Sequence, residues 1–500
     1  MDENVFTYAG MDQRSDALAA GLAQLGAGTG EQVAMLAPNR IELLELFYGV
    51  AKTGAAQVPL NAYLKGEFLL HQLRQSRSGI LITDAAGRQA LAPLRSQLPD
   101  LRAVIMLDGA EDDEIPYASL FDCGDTPPRV DLTAADTMSI LYTSGTTGLP
   151  KGCVASHGYY CRSGELIGAA LEVTEDDVLF AGLPLFHAGA RLVTVTLPLV
   201  YGIPTYLQGT FSARAYFPRA KEVGATLMIA VGAMGAAILA TEPSPADQDH
   251  KVTRIMCAPL SLQGQATFRD RFGVDPWVDV FGQTECMPTT LTPLSSDRRD
   301  PNGCGIEAPD LDVALLDDEG YVLDGEATGE ICLRPRAPYA TFDGYFDNPT
   351  ATLDAFRGLW YHTGDNGRRL PSGAFAFVDR KKDSLRRRGE NISSFELESA
   401  IDAHPVIVES AVVAVASNLG EDDIKACIVA GSPIEPAELF DFFKNNLPYF
   451  AIPRYVDFLD ALPRNGVGRV LKHKLRDAGN TTETWDFEAL NLTVAKQERR

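Results

Sequence analysis

The stretch LYTSGTTGLPKGC, residues 141–153, sets three threonines, a serine and three glycines around a single lysine, Lys151. It follows the apolar run TMSILYTS, which reads as the end of a strand, and precedes a helical pattern from about Gly158. Glycines let backbone N–H groups turn inward, and the hydroxyls of Thr143, Ser144, Thr146 and Thr147 add donors. Lys151 adds a compact, mobile positive charge. The loop is composed to surround an anion. It is not the Walker loop G-x-x-x-x-G-K-[ST], because Pro150 stands where the second glycine belongs and Gly152 follows the lysine. A plain polar surface loop is the competing reading, and the density of donors argues against it.

Working outward, the chain has 500 residues, which favours about three folding units over one core. A formal charge of -23 argues against nucleic acid, whose phosphates need a basic face. The 8 cysteines contain no C-x-x-C pair and no ligand-like grouping with the 7 histidines. That usage predicts reduced thiols and a cytoplasmic location. The start, MDENVFTYAGMDQ, lacks the charged-then-apolar order of a signal peptide. The apolar window RLVTVTLPLVYGIPTYL carries two prolines and an arginine, so it reads as buried strand and turn with no membrane span.

Helical and strand-like patterns alternate to about Asp300. MDQRSDALAAGLAQLG and RIELLELFYGVAKTG read as helices, EQVAMLAPN and AAQVPLN as strands. This is the pattern of α/β layers around a mostly parallel sheet. From Leu311 short strands such as LDVALL and GEICLRP, joined by Asp/Gly turns, predict a β subdomain. After a charged run, residues 380–388, a second α/β pattern begins with SSFELESAIDAHP, and a boundary is placed near Asp383.

Four segments then carry a resemblance. TSGTTGLPKG resembles the phosphate loop of the adenylate-forming superfamily, which contains acyl-CoA synthetases, peptide-synthetase adenylation domains and beetle luciferases. FGQTE (residues 281–285), YHTGD (361–365) and DRKKDSLRRRGENISSFELE (379–398) resemble its later motifs, in the same order. The likeness runs from near residue 7 to about residue 476. It implies an α/β fold: a large multi-layer N-terminal domain, residues 1–382, made of two α/β subdomains and a β subdomain. A small mobile α+β C-terminal domain, residues 383–500, would follow.

The resemblance also implies roles. Thr143, Ser144, Gly145, Thr146, Thr147, Gly148 and Lys151 would hold the outer phosphates of ATP. Thr284 would touch the α-phosphate and Glu285 would bind Mg2+. Asp365 and Arg380 would hold the ribose. Cys257, Ala258 and Pro259, with Phe281, Gly282 and Gln283, would border the nucleotide. Asp383 would be the hinge, and Gly389 would border the thiol tunnel of coenzyme A. His187 in LPLFHAG would gate or orient the acyl group, against the equal alternative of a packed core histidine. Taken singly, Glu285 and Asp365 would be ordinary surface carboxylates.

Two departures stand out. Arg469 occupies the place of the family's C-terminal lysine, and a planar guanidinium is not interchangeable with an ammonium at a tight site. Either Arg469 does that work, or Lys472 substitutes, or adenylation is weak. The start also matches a segment that in relatives follows several tens of residues, which predicts a shortened first strand and helix and an edge left open or to a partner chain.

The implied activity is an ATP-dependent acid:CoA ligase, with free coenzyme A as acceptor. FSARAYFPRAKEVGAT and RRGENISSFELE look most like the branch of crotonobetaine/carnitine-CoA ligase. The alternative is a degenerate nucleotide- or acyl-adenylate-binding protein, motivated by Arg469. A further expectation concerns IAVGAMGAAILA, residues 229–240, where Gly232, Ala233, Gly235, Ala236 and Ala237 either leave room for a bulky or medium-chain acid or pack a helix closely. A homo-oligomer is compatible with this reading.

Overall fold

A computed structural model describes residues 5–111, 113–143, 149–380, 384–387, 390–417, 422–463, 470 and 472–495. Ser144, Gly145, Thr146, Thr147, Gly148, Asp383, Gly389 and Arg469 lie outside the described residues, as does the side chain of Arg380.

The N-terminal alternation folds into a seven-stranded sheet in the order β5-β4-β3-β1-β2-β6-β7. Its strands are β1 Gln32–Leu36, β2 Ala56–Leu60, β3 Ile80–Thr83, β4 Ala103–Met106, β5 Ile115–Pro116, β6 Thr137–Thr143 and β7 Lys151–Ser156. All pairings are parallel except β6 with β7. Helices α1 Tyr8–Gln24, α2 Ile41–Thr53 and α3 Gly66–Ser76 cover this sheet. Thr7 caps α1 by accepting from the N–H of Gly10, and Gly54 ends α2 in a left-handed conformation, the cap that glycine adopts at least cost.

A second, fully parallel sheet runs β12-β11-β10-β8-β9, with β8 Leu179–Ala181, β9 Thr205–Leu207, β10 Leu227–Val231, β11 Arg254–Ala258 and β12 Pro276–Trp277. Two antiparallel sheets follow. One joins β13 Val280–Gln283, β14 Cys286–Leu291 and β15 Ile306–Glu307. The other orders β16 Leu311–Leu316, β17 Val322–Leu323, β18 Thr328–Pro335, β19 Tyr361–Arg369 and β20 Phe375–Arg380 as β17-β16-β18-β19-β20. Beyond residue 383 come the hairpin β21 Ser384–Arg387 with β22 Glu390–Ser393, and a four-stranded sheet of β23 Ile407–Ala416, β24 Asp422–Ala430, β25 Tyr455–Phe458 and β26 Trp485–Asp486. The fold class is the one expected: two α/β layers and a β subdomain, then a smaller α+β unit.

The two parts share apolar surface. One buried cluster includes Leu36 and Leu81 of the first sheet, Phe68 of α3, and Ile392, Phe450 and Ile452 of the C-terminal part. Removing such surface from water gives about 25 cal/mol per Å2, so the seat of the C-terminal part is a hydrophobic one.

The window after Gly189 differs from its sequence reading. Residues Ala190–Val195 form a π-helix that continues into the helix Thr196–Tyr201, and the strand is confined to β9. The β-branched run favours strand locally, but tertiary packing overrides it. Arg191 is buried, its guanidinium 4.8 Å from the Phe47 ring and bonded to the Tyr160 hydroxyl. Gly164, in the helix His157–Ala170, lies so close to the backbone of Thr196 and Leu197 that a Cβ there would sit 3.0 and 3.1 Å from it. Among the described residues no helix is long and apolar enough to cross a membrane.

Candidate active site

Lys151 opens β7 directly opposite Thr143, the last residue of β6. β6 and β7 therefore pair as an antiparallel hairpin, and Lys151 is fixed at its edge. Gly152 allows this: a Cβ there would come within 2.5 Å of the Ile140 side chain. The segment around Gly344 docks along β7, with Val154 N–H donating to the Gly344 carbonyl and Phe346 N–H to the Gly152 carbonyl. That pairing brings Tyr345 opposite Cys153.

Tyr345 then joins two groups that the sequence keeps far apart. The Lys151 ammonium lies 4.7 Å from the centre of its ring. Its hydroxyl donates to Glu285 Oε1 at 2.9 Å. Burial, followed by the adjacent Glu285 carboxylate, pushes the Tyr345 phenol well up, so it stays a donor. Glu285 sits in the turn between β13 and β14 and is 8% exposed. Thr284 is held beside it through its carbonyl, which accepts from the Tyr159 hydroxyl at 3.0 Å.

A second set of bonds positions Asp365. Opposite β18, Cys332 pairs with His362 but Glu330 pairs with Asn366, so β19 carries extra residues between them. This bulge is the THR-GLY-ASP segment 363–365, with Gly364 at φ 73. Gly364 N–H donates to Glu330 Oε1 at 3.0 Å, and Gln283 Nε2 donates to Asp365 Oδ2 at 2.6 Å and to the Thr363 carbonyl at 2.8 Å. The Tyr361 hydroxyl donates to Gln283 Oε1 at 3.1 Å. The FGQTE and YHTGD segments are thus tied to one another by Gln283.

Lys151, Thr143, Gly282, Gln283, Thr284 and Glu285 line one cavity of about 760 Å3. Its opposite wall comes from the C-terminal part, including Glu390, Ile392 and Phe450. His187 reaches across: its Nε2 lies 3.0 Å from Glu390 Oε1. The histidine is half-exposed, so a packed core residue is not what the structure shows. Beside it Phe186 meets the Tyr63 ring edge-on, and Tyr63 meets Tyr449 in the same way, so aromatic edges continue the seam between the two parts.

Other expected residues lie elsewhere. Phe281, Cys257, Ala258 and Pro259 are not in this wall, and neither is Asp365, which is buried behind Thr363 and Gly364 that do line it. Cys257 is fully buried against the helix Gly232–Leu239, and burial pushes its thiol up to about 12. Gly235 would place a Cβ 2.4 Å from its sulfur, and Gly232 one 2.0 Å from the Pro259 carbonyl oxygen. The small residues of 229–240 at these two places serve close packing, and no residue of that stretch lines the cavity. Lys472 does not face the cavity either: its ammonium donates to Ser394 Oγ at 2.7 Å and pairs with Glu398 at 2.6 Å.

Sequence reasoning missed Tyr345 and Glu390. Glu390 was within reach, since GENIS was already assigned to the hinge region. Tyr345 carried no signal, because only the docking of residues 343–346 along β7 gives it a partner. The reading that cysteine and histidine form no group is also overturned: the β18–β19 pairing places Cys332 beside His362 and Glu330. Sequence spacing hides a cluster assembled across two strands.

Comparison with known proteins agrees with this geometry. The AMP-binding enzyme family matches residues 1–346, and the AMP-binding enzyme C-terminal domain matches residues 396–469. Crotonobetaine/carnitine--CoA ligase of Salmonella typhi is 30% identical over 484 residues, covering 94% of this chain and 93% of that protein. A double mutant of o-succinylbenzoate CoA synthetase from Bacillus subtilis, bound with a product analogue, superposes with a TM-score of 0.82 at 26% identity, covering 95% and 94% of the two chains. An amide bond synthetase from Marinactinospora thermotolerans shares the fold, with a TM-score of 0.82 at 23% identity and 95% of each chain covered.

Proposed function

This chain belongs to the AMP-binding enzyme family, and from that premise we propose that it is an ATP-dependent acid:CoA ligase working through an acyl-adenylate. The observation that carries the proposal is the convergence of Lys151, Tyr345 and Glu285 on one cavity that Gln283 and Thr284 also line.

In the first step an oxygen of the substrate carboxylate bonds to the α-phosphorus of ATP, and the bond to pyrophosphate breaks with its electron pair. Charge builds on phosphate oxygens, so fixed donors and cations are what the step requires. Lys151 offers its ammonium to the outer phosphates, held in direction by the Tyr345 ring. Thr143 and Thr284 border the phosphate path. Gln283 holds Asp365 so that its carboxylate can accept from the ribose hydroxyls. Glu285 suits Mg2+: it is a carboxylate in the cavity wall, and Mg2+ is bound by one or two carboxylates together with substrate phosphates. When bound, Mg2+ neutralises charge on those oxygens.

In the second step the thiol of coenzyme A loses its proton and attacks the acyl carbon, and AMP leaves with the electrons of the anhydride bond. His187, tied to Glu390 of the C-terminal part, stands where the two parts meet over the cavity, in keeping with a role in admitting the thiol or orienting the acyl group. Coenzyme A as acceptor, Mg2+ at Glu285, the domain boundary near Asp383, a cytoplasmic location and a homo-oligomeric assembly belong to this proposal. The fold by itself does not select the acceptor, because one scaffold hosts several chemistries.

The test is acid-dependent exchange of labelled pyrophosphate into ATP, followed by CoA-dependent AMP release, over a panel of acids that includes crotonobetaine and carnitine. Exchange with at least one acid, and thioester formed only with coenzyme A present, is the expected result. Retention of ATP with no exchange for any acid would support the degenerate binder. Arg469→Lys separates the two further: no gain in exchange marks an adapted arginine, a large gain a crippled site.

A further inference from the structure

Glu330 and Cys332 stand two residues apart on β18, and His362 faces Cys332 across the β18–β19 ladder. Their ligand atoms all lie within 4.8 Å of one another. His362 Nδ1 is 3.0 Å from Glu330 Oε2 and 3.3 Å from Cys332 Sγ. The far nitrogen, Nε2, meets the Arg357 carbonyl at 3.2 Å. A carbonyl only accepts, so Nε2 carries a proton toward it, and Nδ1 is the ring atom that faces Glu330 and Cys332. A carboxylate oxygen, a sulfur and an imidazole nitrogen therefore converge on one point.

From this convergence we infer a divalent-cation site of the Zn2+ class, held by Glu330, Cys332 and His362. Tetrahedral zinc with bonds of about 2.0–2.3 Å needs ligand atoms about 3.3–3.6 Å apart, which two of these pairs approach within a few tenths. Thiolate and imidazole select such a borderline-soft cation over Mg2+. The outer bonds also suit a ligand set. The imidazole N–H on the Arg357 carbonyl fixes ring orientation, and the second oxygen of Glu330 accepts from Gly364 N–H. Glu330 and His362 line the cavity, so a fourth position opens toward it. Cys332 and Glu330 are buried and would hold the ion on the protein side. An ion here ties β18 to the bulge that positions Asp365. The inference does not depend on the ligase reading.

The experiment titrates the full-length, metal-free protein with Co2+ as probe and follows the thiolate-to-cobalt charge-transfer absorption, then displaces Co2+ with Zn2+. One Co2+ per chain with a charge-transfer band is expected. The band should be absent in Cys332→Ser and kept in Cys161→Ser, which alters an exposed cysteine. His362→Gln, which keeps the thiol, should weaken Co2+ by more than about 10-fold, the least that loss of an outer partner costs. No band in the folded wild type, or an unchanged band in Cys332→Ser, overturns the site. Should Cys332→Ser fail to fold, undiminished affinity in His362→Gln overturns it equally.

Discussion

The Lys151–Tyr345–Glu285 cluster and the His187–Glu390 contact border the same cavity, yet they are built in opposite ways. The first is assembled wholly within the N-terminal part, from a hairpin edge, a docked segment and a β-turn. Glu285 and Tyr345 are nearly buried, at 8% and 9% exposure. The second joins the two parts of the chain, and the His187 side chain is 37% exposed. Buried hydrogen bonds to a charged group hold position and strengthen electrostatics. A hydrogen bond with one half-exposed partner is worth less. Under the proposed function the difference predicts a division of labour, in which phosphate chemistry would rest on the buried cluster and acyl transfer on the His187–Glu390 contact between the two parts.

The comparison is most severely tested at Lys151. Lys151→Met should lower acid-dependent pyrophosphate exchange by about 10²–10³-fold, the usual cost of one electrostatic stabiliser. If Glu390→Gln cost as much in the same assay, the division would fail. Tyr345→Phe is subtler, because it leaves the ring for Lys151 and removes the donor to Glu285. A hydrogen bond to a charged group is worth about 1.5–3 kcal/mol, so exchange should fall roughly 10–100-fold. An unchanged rate would mean that the phenol does not position the carboxylate.

Glu390→Gln sharpens the other side. A partly exposed hydrogen bond is worth about 0.5–1.5 kcal/mol, so overall thioester formation should drop by no more than about 10-fold, with pyrophosphate exchange preserved. Equal losses in both assays would place Glu390 in the first step.

The smallest effect lies outside both regions. Burial pushes the imidazoles of His157 and His250 below their usual value of 6.5. Below that pH the unfolded chain binds more protons than the folded one at these sites, so stability falls as the solution is acidified. The melting temperature should decline from about pH 7 to about pH 5.5, and less steeply in His157→Gln. An identical slope in that variant would remove His157 from the account.

Much of the site was legible because its residues are contiguous. Local composition pointed to Thr143 and Lys151, which share one loop, whereas Gln283, Thr284, Glu285 and Asp365 were reached through the family resemblance of the contiguous segments FGQTE and YHTGD. The window at 190–201 was misread because β-branched propensity is a local quantity, and the packing against Phe47, Tyr160 and Gly164 that overrides it is not. The glycines of 229–240 admitted two readings, and only the close approach of Cys257 and Pro259 chose between them. The pairing of Cys332 with His362 was invisible for the same reason: adjacency across a sheet leaves no trace in spacing.

Residue order alone predicted the layered α/β plan and an anion-binding composition around Lys151, because each depends on neighbours along the chain, whereas Mg2+ at Glu285 was an expectation carried by the family resemblance. Only folding determined that a tyrosine joins Lys151 to Glu285, that His187 meets Glu390, and that a thiol, an imidazole and a carboxylate converge beneath the bulge at Gly364. Those are contacts between distant segments, and strand register and docking, not local composition, set which side chains come within hydrogen-bonding reach.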